Sequence, residues 1–205
     1  MGFCLLSCLS SCMFNNLGEA SMTAKKLADG LYYMELEGDD GFDQFLAQGG
    51  AKSAGDLGQY LGSFLGKGPF ARSVTVQTSE IACAAFLVPD GNGGFLMGRN
   101  YDWDRCTAII LKNNPDTGYA SVSTCNLDFL GFGEGFKPEG IVNKIKALAG
   151  IYVPMDGVNE KGLAVADLMA GDDEVTNQDT DKPDLTTTSA IRLLLNKAAN
   201  VDEAI

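Results

Sequence analysis

The chain has 205 residues, enough for one folded domain with or without an appendage, and its 45% apolar and 20% charged content suits a soluble globular protein. Its net charge is −12, from 15 Lys and Arg against 27 Asp and Glu, which repels phosphate backbones and argues against nucleic-acid binding. It contains no histidine, so no Ser-His-Asp triad, Cys-His pair or His-ligated zinc site can be built within it.

A hydrolytic site here would need a different proton acceptor. A carboxylate, a lysine or a free α-amino group remains; the ordinary pKa of the last, about 7.7–8.0, suits a base at neutral pH.

In chain order, the first stretch is MGFCLLSCLSSCMF, with Cys4, Cys8 and Cys12 one per helical turn. That spacing matches no zinc signature. Residues 3–14 are apolar and small, and Leu9 to Cys12 (LSSC) resembles a bacterial lipoprotein cleavage site, so residues 1–14 are expected to be a signal segment with a lipid anchor at Cys12. A cell-envelope or secreted location follows from that expectation. A buried or unstructured N-terminal segment is the alternative, and the run is too short to span a bilayer. Leu6 breaks the Gly2 myristoylation pattern.

Residues 15–30 are polar and small and are predicted to be linker. LYYMELEG (31–38) alternates as a strand. Residues 41–66 predict a short helix, a break at Gly49 and Gly50, and a second helix with Leu57, Tyr60, Leu61, Phe64 and Leu65 on one face. SVTVQTSEIACAAFLV (73–88) and FLMGRNY (95–101) predict two strands joined by the turn PDGNGG, a hairpin with Cys83 at one outer end and Arg99 to Asp102 at the other. Further strands are predicted at 106–113 and 119–128. GFGEGF (131–136) is a loop, since it lacks a complete GxGxxG.

VNKIKALAG (142–150) predicts a short helix, and MDGVNEKG a turn before the buried strand LAVADLM (163–169). Residues 171–184 are an acidic solvated loop without the Gly and terminal Glu of a calcium loop. TTTSAIRLLLNKAAN (186–200) predicts a capped helix with Ile191, Leu194, Leu195 and Ala198 on one face. VDEAI begins another helix, so the chain is expected to be a fragment.

Two readings of Cys83 stay open on pattern alone. It is a buried core cysteine, the ordinary fate of the residue type. Or it is a nucleophile whose thiolate is stabilised by Arg99 and oriented by Asp102. Arg99, Asn100 and Asp102 would equally make a surface ion-pair cluster. With no histidine, the base for a nucleophilic Cys83 could be its own α-amino group, released by cleavage of the Ala82–Cys83 bond.

CAAFLVPDGNGGFLMGRNYDWD (83–104), MDGVNEKGLAVADLM (155–169) and DLTTTSAIRLLLNKAANVDEAI (184–205) together resemble the choloylglycine hydrolase family of linear amide hydrolases, which includes bile salt hydrolases and penicillin V acylases. The resemblance covers most of residues 83–205. It implies an α+β fold, the N-terminal part of an αββα N-terminal-nucleophile sandwich, preceded by a prosegment reaching residue 82. It implies that Cys83 is the nucleophile exposed by autocatalytic cleavage and that Arg99 is the active-site arginine. Asp102 would bond the cysteine amine, and Met169 would offer an oxyanion-hole N–H and shape the acyl pocket. Asn159 belongs to the signature loop, with a structural role.

The family's second oxyanion-hole Asn and a further Arg fall beyond the segment matching Ile205. The long leader resembles the acid-amidase branch more than bile salt hydrolases. The implied partner is a small N-acyl substrate, with no metal or organic cofactor required and with room for a homo-oligomer. The competing expectation, from a different class, is a non-catalytic surface-anchored binding or remnant domain. A redox or metal protein is disfavoured because the cysteines lack motif spacing.

Overall fold

The computed structural model describes residues 21–64, 82–102, 106–132, 135–168 and 179–205. The fold is α+β. Its strands are β1 (Ser21–Ala28), β2 (Leu31–Glu37), β3 (Ala82–Pro89), β4 (Phe95–Asp102), β5 (Ala108–Asn114), β6 (Ser121–Asn126), β7 (Asp156–Asn159) and β8 (Ala164–Ala166). Its helices are α1 (Phe42–Ala47), α2 (Ala54–Phe64), α3 (Gly140–Ala147), α4 (Thr187–Lys197) and α5 (Val201–Ala204), with 3-10 turns at Leu127–Leu130 and Leu148–Tyr152.

Six strands form one sheet in the order β1-β2-β5-β6-β7-β8, and β3 and β4 form a separate two-stranded sheet. Among the described strands of the large sheet, only β2 and β5 pair in parallel. A parallel pair needs a long crossover, here the whole stretch between Glu37 and Ala108.

The alternation of β2 places Tyr32, Met34 and Leu36 on a buried face, in register with Ile109, Leu111 and Asn113 of β5. These meet Cys125, Ser123 and Ser121 of β6. The face is thus apolar at one end and polar at the other. Helices cover this face. Helices α1 and α2 deliver Phe42, Phe45, Tyr60 and Phe64 around the buried Tyr152, whose hydroxyl donates to the Asp40 carbonyl at 2.8 Å, with ring centroids 4.9–5.9 Å apart. Each such ring pair is worth about 0.5–1.5 kcal/mol beyond its buried area. Ser53 starts α2 by accepting the Asp56 N–H at 3.1 Å, and Leu57, Leu61 and Phe64 supply its buried stripe.

At the polar end sits Arg192 of α4, 0% exposed. Its Nε donates to the Ile151 carbonyl at 2.7 Å, Nη1 to Ser121 Oγ at 2.9 Å and Asn196 Oδ1 at 3.3 Å, and Nη2 to Ser123 Oγ at 3.0 Å. Asn196 also donates to Asp40 at 3.1 Å, and Asn113 donates to the same carboxylate oxygen at 2.7 Å. Burial pushes the Arg192 guanidinium down to about 10, opposed by Asp40. Helix α4 starts with a reciprocal cap between Thr186 and Ser189. Gly157 lets it approach the sheet, since a Cβ there would stand 2.8 Å from Leu195 Cδ1.

Several sequence expectations need correction. Ser21–Ala28, read as linker, is edge strand β1, and residues 21–64 share sheet and core with the rest. MDGVNEKG is not all turn: Asp156–Asn159 is a strand, and β8 beside it is partly exposed rather than buried. The helical segment at 140 runs past Gly150, as 3-10 structure, to Tyr152. On α4 the buried set is Ser189, Ile191, Arg192, Leu195 and Asn196, so the face contains polar groups the apolar pattern omits. The leader 1–14 with Cys12, most of the acidic loop 171–184, and Met169 lie outside the described residues.

Candidate active site

The β3–β4 hairpin forms because of its turn. Asp90 Oδ1 accepts the N–H groups of Asn92 at 2.7 Å and Gly94 at 2.9 Å, and the Asp90 N–H donates to the Gly94 carbonyl at 3.0 Å. Those backbone donors hold the Asp90 carboxyl below its ordinary range. The register then pairs Cys83 with Tyr101 and Ala85 with Arg99. Because strand side chains alternate, Cys83, Arg99 and Tyr101 share one face, and Asn100 and Asp102 lie on the other. Gly98 accommodates the Phe86 ring directly across the ladder: a Cβ there would lie 2.1 Å from Phe86 Cζ.

The Cys83 face meets the large sheet at its Arg99 end, beside Asp156 of β7. Arg99 makes the connection. Its side chain is 7% exposed, and Nε faces Asp156 Oδ2 at 3.3 Å. Nη2 donates to the Asp167 carbonyl at 2.6 Å and stands 3.6 Å from Cys83 Sγ; Nη1 donates to the Asn100 carbonyl at 3.1 Å. The guanidinium also stacks on the Tyr101 ring, 4.9 Å from its centroid. Asp156 in turn accepts from Thr124 Oγ1 at 2.6 Å, and the two residues are direct partners across β6 and β7.

Two titrations mark this corner. Burial, and next the neighbouring Cys83, push the Tyr101 hydroxyl well above its ordinary range, so it stays protonated; it has no hydrogen-bond partner among the described residues. Burial raises the Asp167 carboxyl, with Arg99 opposing. By contrast Cys125 is fully buried in the helix-side core, and burial drives its thiol far up. Cys83 is only half-buried and free, with a guanidinium beside it.

The structure brings together two of the sequence-derived site residues, Cys83 and Arg99. It does not bring Asp102 to the thiol. Asp102 is exposed, accepts from Asn100 Nδ2 at 2.6 Å, and stands across the ladder from Ala82, on the reverse face. That position flanks the peptide bond joining Ala82 to Cys83. Asn159 is buried away from the thiol. Its Oδ1 accepts from the N–H of Lys161 and Leu163, and its Nδ2 donates to the carbonyls of Leu195 at 3.1 Å and Ala198 at 2.7 Å. It closes the β7–β8 turn and ties it to the end of α4. Asp156, Thr124 and Asp167 were missed in the sequence, because nothing local distinguishes an aspartate in a DG pair from a turn residue.

Among the described residues no group of three or more Cys, Asp or Glu is placed to hold a metal ion, and no helix is long and apolar enough to cross a membrane. Comparison with models of known families, with curated proteins and with solved structures finds no match.

Proposed function

We propose that the chain is an amidase of the N-terminal-nucleophile type, acting on linear N-acyl amides through Cys83. The observation that carries this reading is the Cys83–Arg99 contact of 3.6 Å in a chain with no histidine. A helix layer over a six-stranded sheet, with a separate two-stranded sheet bearing the thiol and tied to the large one through Arg99, is compatible with part of an αββα sandwich. Near its turn the hairpin exposes apolar side chains on both faces, Phe86, Val88 and Leu96 on one and Leu87 and Phe95 on the other.

In this reading hydrolysis of the Ala82–Cys83 bond frees the Cys83 amine. Asp102, beside that bond, holds the amine. The amine takes the Sγ proton, and the thiolate, stabilised by Arg99, attacks the amide carbonyl carbon. The C=O electron pair moves to oxygen, held by backbone N–H donors, with Met169 the expected one; such a donor is typically worth about 10²–10³ in rate. Collapse of the adduct breaks the C–N bond, and the leaving amine takes the proton back from the Cys83 ammonium. Water, deprotonated by the same amine, cleaves the thioester and releases the acid.

The test is intact mass and N-terminal sequencing of the expressed protein, with turnover of a panel of chromogenic N-acyl anilides. The expected outcome is a new N-terminus at Cys83 in the wild type, with Cys83→Ala uncleaved and at least about 10³-fold less active. An uncleaved wild type whose turnover survives Cys83→Ala sinks the proposal.

A further inference from the structure

We infer that Asp156, held by Thr124, is the positioning residue for Arg99 and so for the reactivity of Cys83; the catalytic half of this inference rests on the reading of Cys83 as nucleophile. An arginine side chain loses considerable rotamer freedom when fixed, so a guanidinium stays at one place only where several groups hold it. The carbonyls of Asn100 and Asp167 take Nη1 and Nη2. Neither controls the Nε edge, which among the described residues has no aligned hydrogen-bond acceptor and faces the Asp156 carboxylate at 3.3 Å.

The Asp156 carboxylate is itself fixed. Oδ1 accepts from Thr124 Oγ1 at 2.6 Å, leaving Oδ2 turned to Arg99, and the pair is 7% and 18% exposed, so water competes weakly. The arrangement also crosses between elements. Thr124 and Asp156 belong to the six-stranded sheet, whereas Arg99 and Cys83 belong to the hairpin. The Thr124–Asp156–Arg99 chain therefore sets where the hairpin face sits over the sheet. It also keeps Nη2 within 3.6 Å of the thiol.

A carboxylate near a cation can act in two opposite ways. If Asp156 merely damped the charge on Arg99, neutralising it would leave a freer cation beside Sγ and make the thiol more reactive. If it positions Arg99, neutralising it lets the guanidinium drift and makes the thiol less reactive. Asp156→Asn, Thr124→Val and Thr124→Ser separate these. The readout is the rate of alkylation of Cys83 by iodoacetamide at pH 7.5, followed by peptide mass spectrometry on protein whose fold is checked by circular dichroism. Turnover of an N-acyl anilide is measured in parallel.

The expected result is about tenfold slower alkylation in Asp156→Asn and about threefold slower in Thr124→Val, with Thr124→Ser restoring the rate because it restores the hydroxyl. In turnover, kcat falls by the same factors with KM within about twofold. Alkylation at or above the wild-type rate in Asp156→Asn overturns the inference, as does Thr124→Ser as slow as Thr124→Val. Should Asp156→Asn fail to fold, the Thr124 pair decides alone. A wild type with no Cys83-dependent turnover removes the hydrolase reading, while the alkylation rates still decide the role of Asp156.

Discussion

Two buried guanidinium groups stand on opposite sides of the same sheet, and they are not equivalent. Arg192, on the helix side, has every nitrogen matched by an acceptor: a carbonyl, two serine hydroxyls and an amide oxygen. Arg99, on the hairpin side, has an Nε without an aligned acceptor among the described residues and an Nη2 divided between a carbonyl and a thiol. A saturated buried cation is a fixture of the fold, since its charge has nowhere else to act. An unsaturated one keeps part of its field available to a neighbour or a reacting group. The difference separates architecture from chemistry within a chain that offers few other markers.

The largest way to break that comparison is Arg192→Ala. It strands Asp40, Ser121, Ser123 and Asn196 in the core, and about 3–5 kcal/mol of stability should be lost on urea unfolding. A loss under about 1 kcal/mol would show that Arg192 is no fixture. Arg99→Lys should do the reverse. A lysine keeps the charge but cannot span Asp156, Asp167 and Asn100 together, so Cys83 alkylation should slow about fivefold while the unfolding midpoint barely moves.

The smallest effect concerns Asp167. Its folded-state pKa is raised by burial, so its contribution to stability is full below the ordinary aspartate pKa and is lost as pH rises through the raised value. Asp167→Asn should therefore raise the melting temperature at pH 7 and leave it unchanged near pH 3, where the carboxyl is neutral in both states. An equal gain at both pH values would exclude titration as the cause.

Much of this was legible beforehand. The β3–β4 hairpin follows from PDGNGG, and with it the meeting of Cys83 and Arg99 across a ladder. The periodicity at 57, 61 and 64 gave α2, and Thr186 marked the start of α4. What escaped has physical reasons. Ser21–Ala28 is an edge strand in which only Met22 and Ala24 pack against the core and Lys25 to Ala28 are all exposed, an alternation too short to stand out, so it reads as linker. Arg192 and Asn196 are buried through partners on β6 and near Asp40, which no pattern within the helix announces. Asp156 matters through Arg99, 57 positions earlier in the chain, and Thr124, 32 positions earlier, neither of which its local sequence announces. Whether Asp102 serves the amine depends on a peptide bond being cut, which side-chain pattern does not express.

The parallel ladder between β2 and β5 has a consequence for such a cut. β2 precedes the Ala82–Cys83 bond and β5 follows it, and their seven paired positions run unbroken from Leu31 opposite Ala108 to Glu37 opposite Asn114. Severing the backbone at that bond would therefore yield two polypeptides but not two bodies. Both would remain threaded through a common sheet, with Met34 and Leu36 from one and Ile109 and Leu111 from the other closing a single interior. The pieces should migrate together in native gels and part only in denaturant, so that a new N-terminus is gained without loosening the scaffold that aims it.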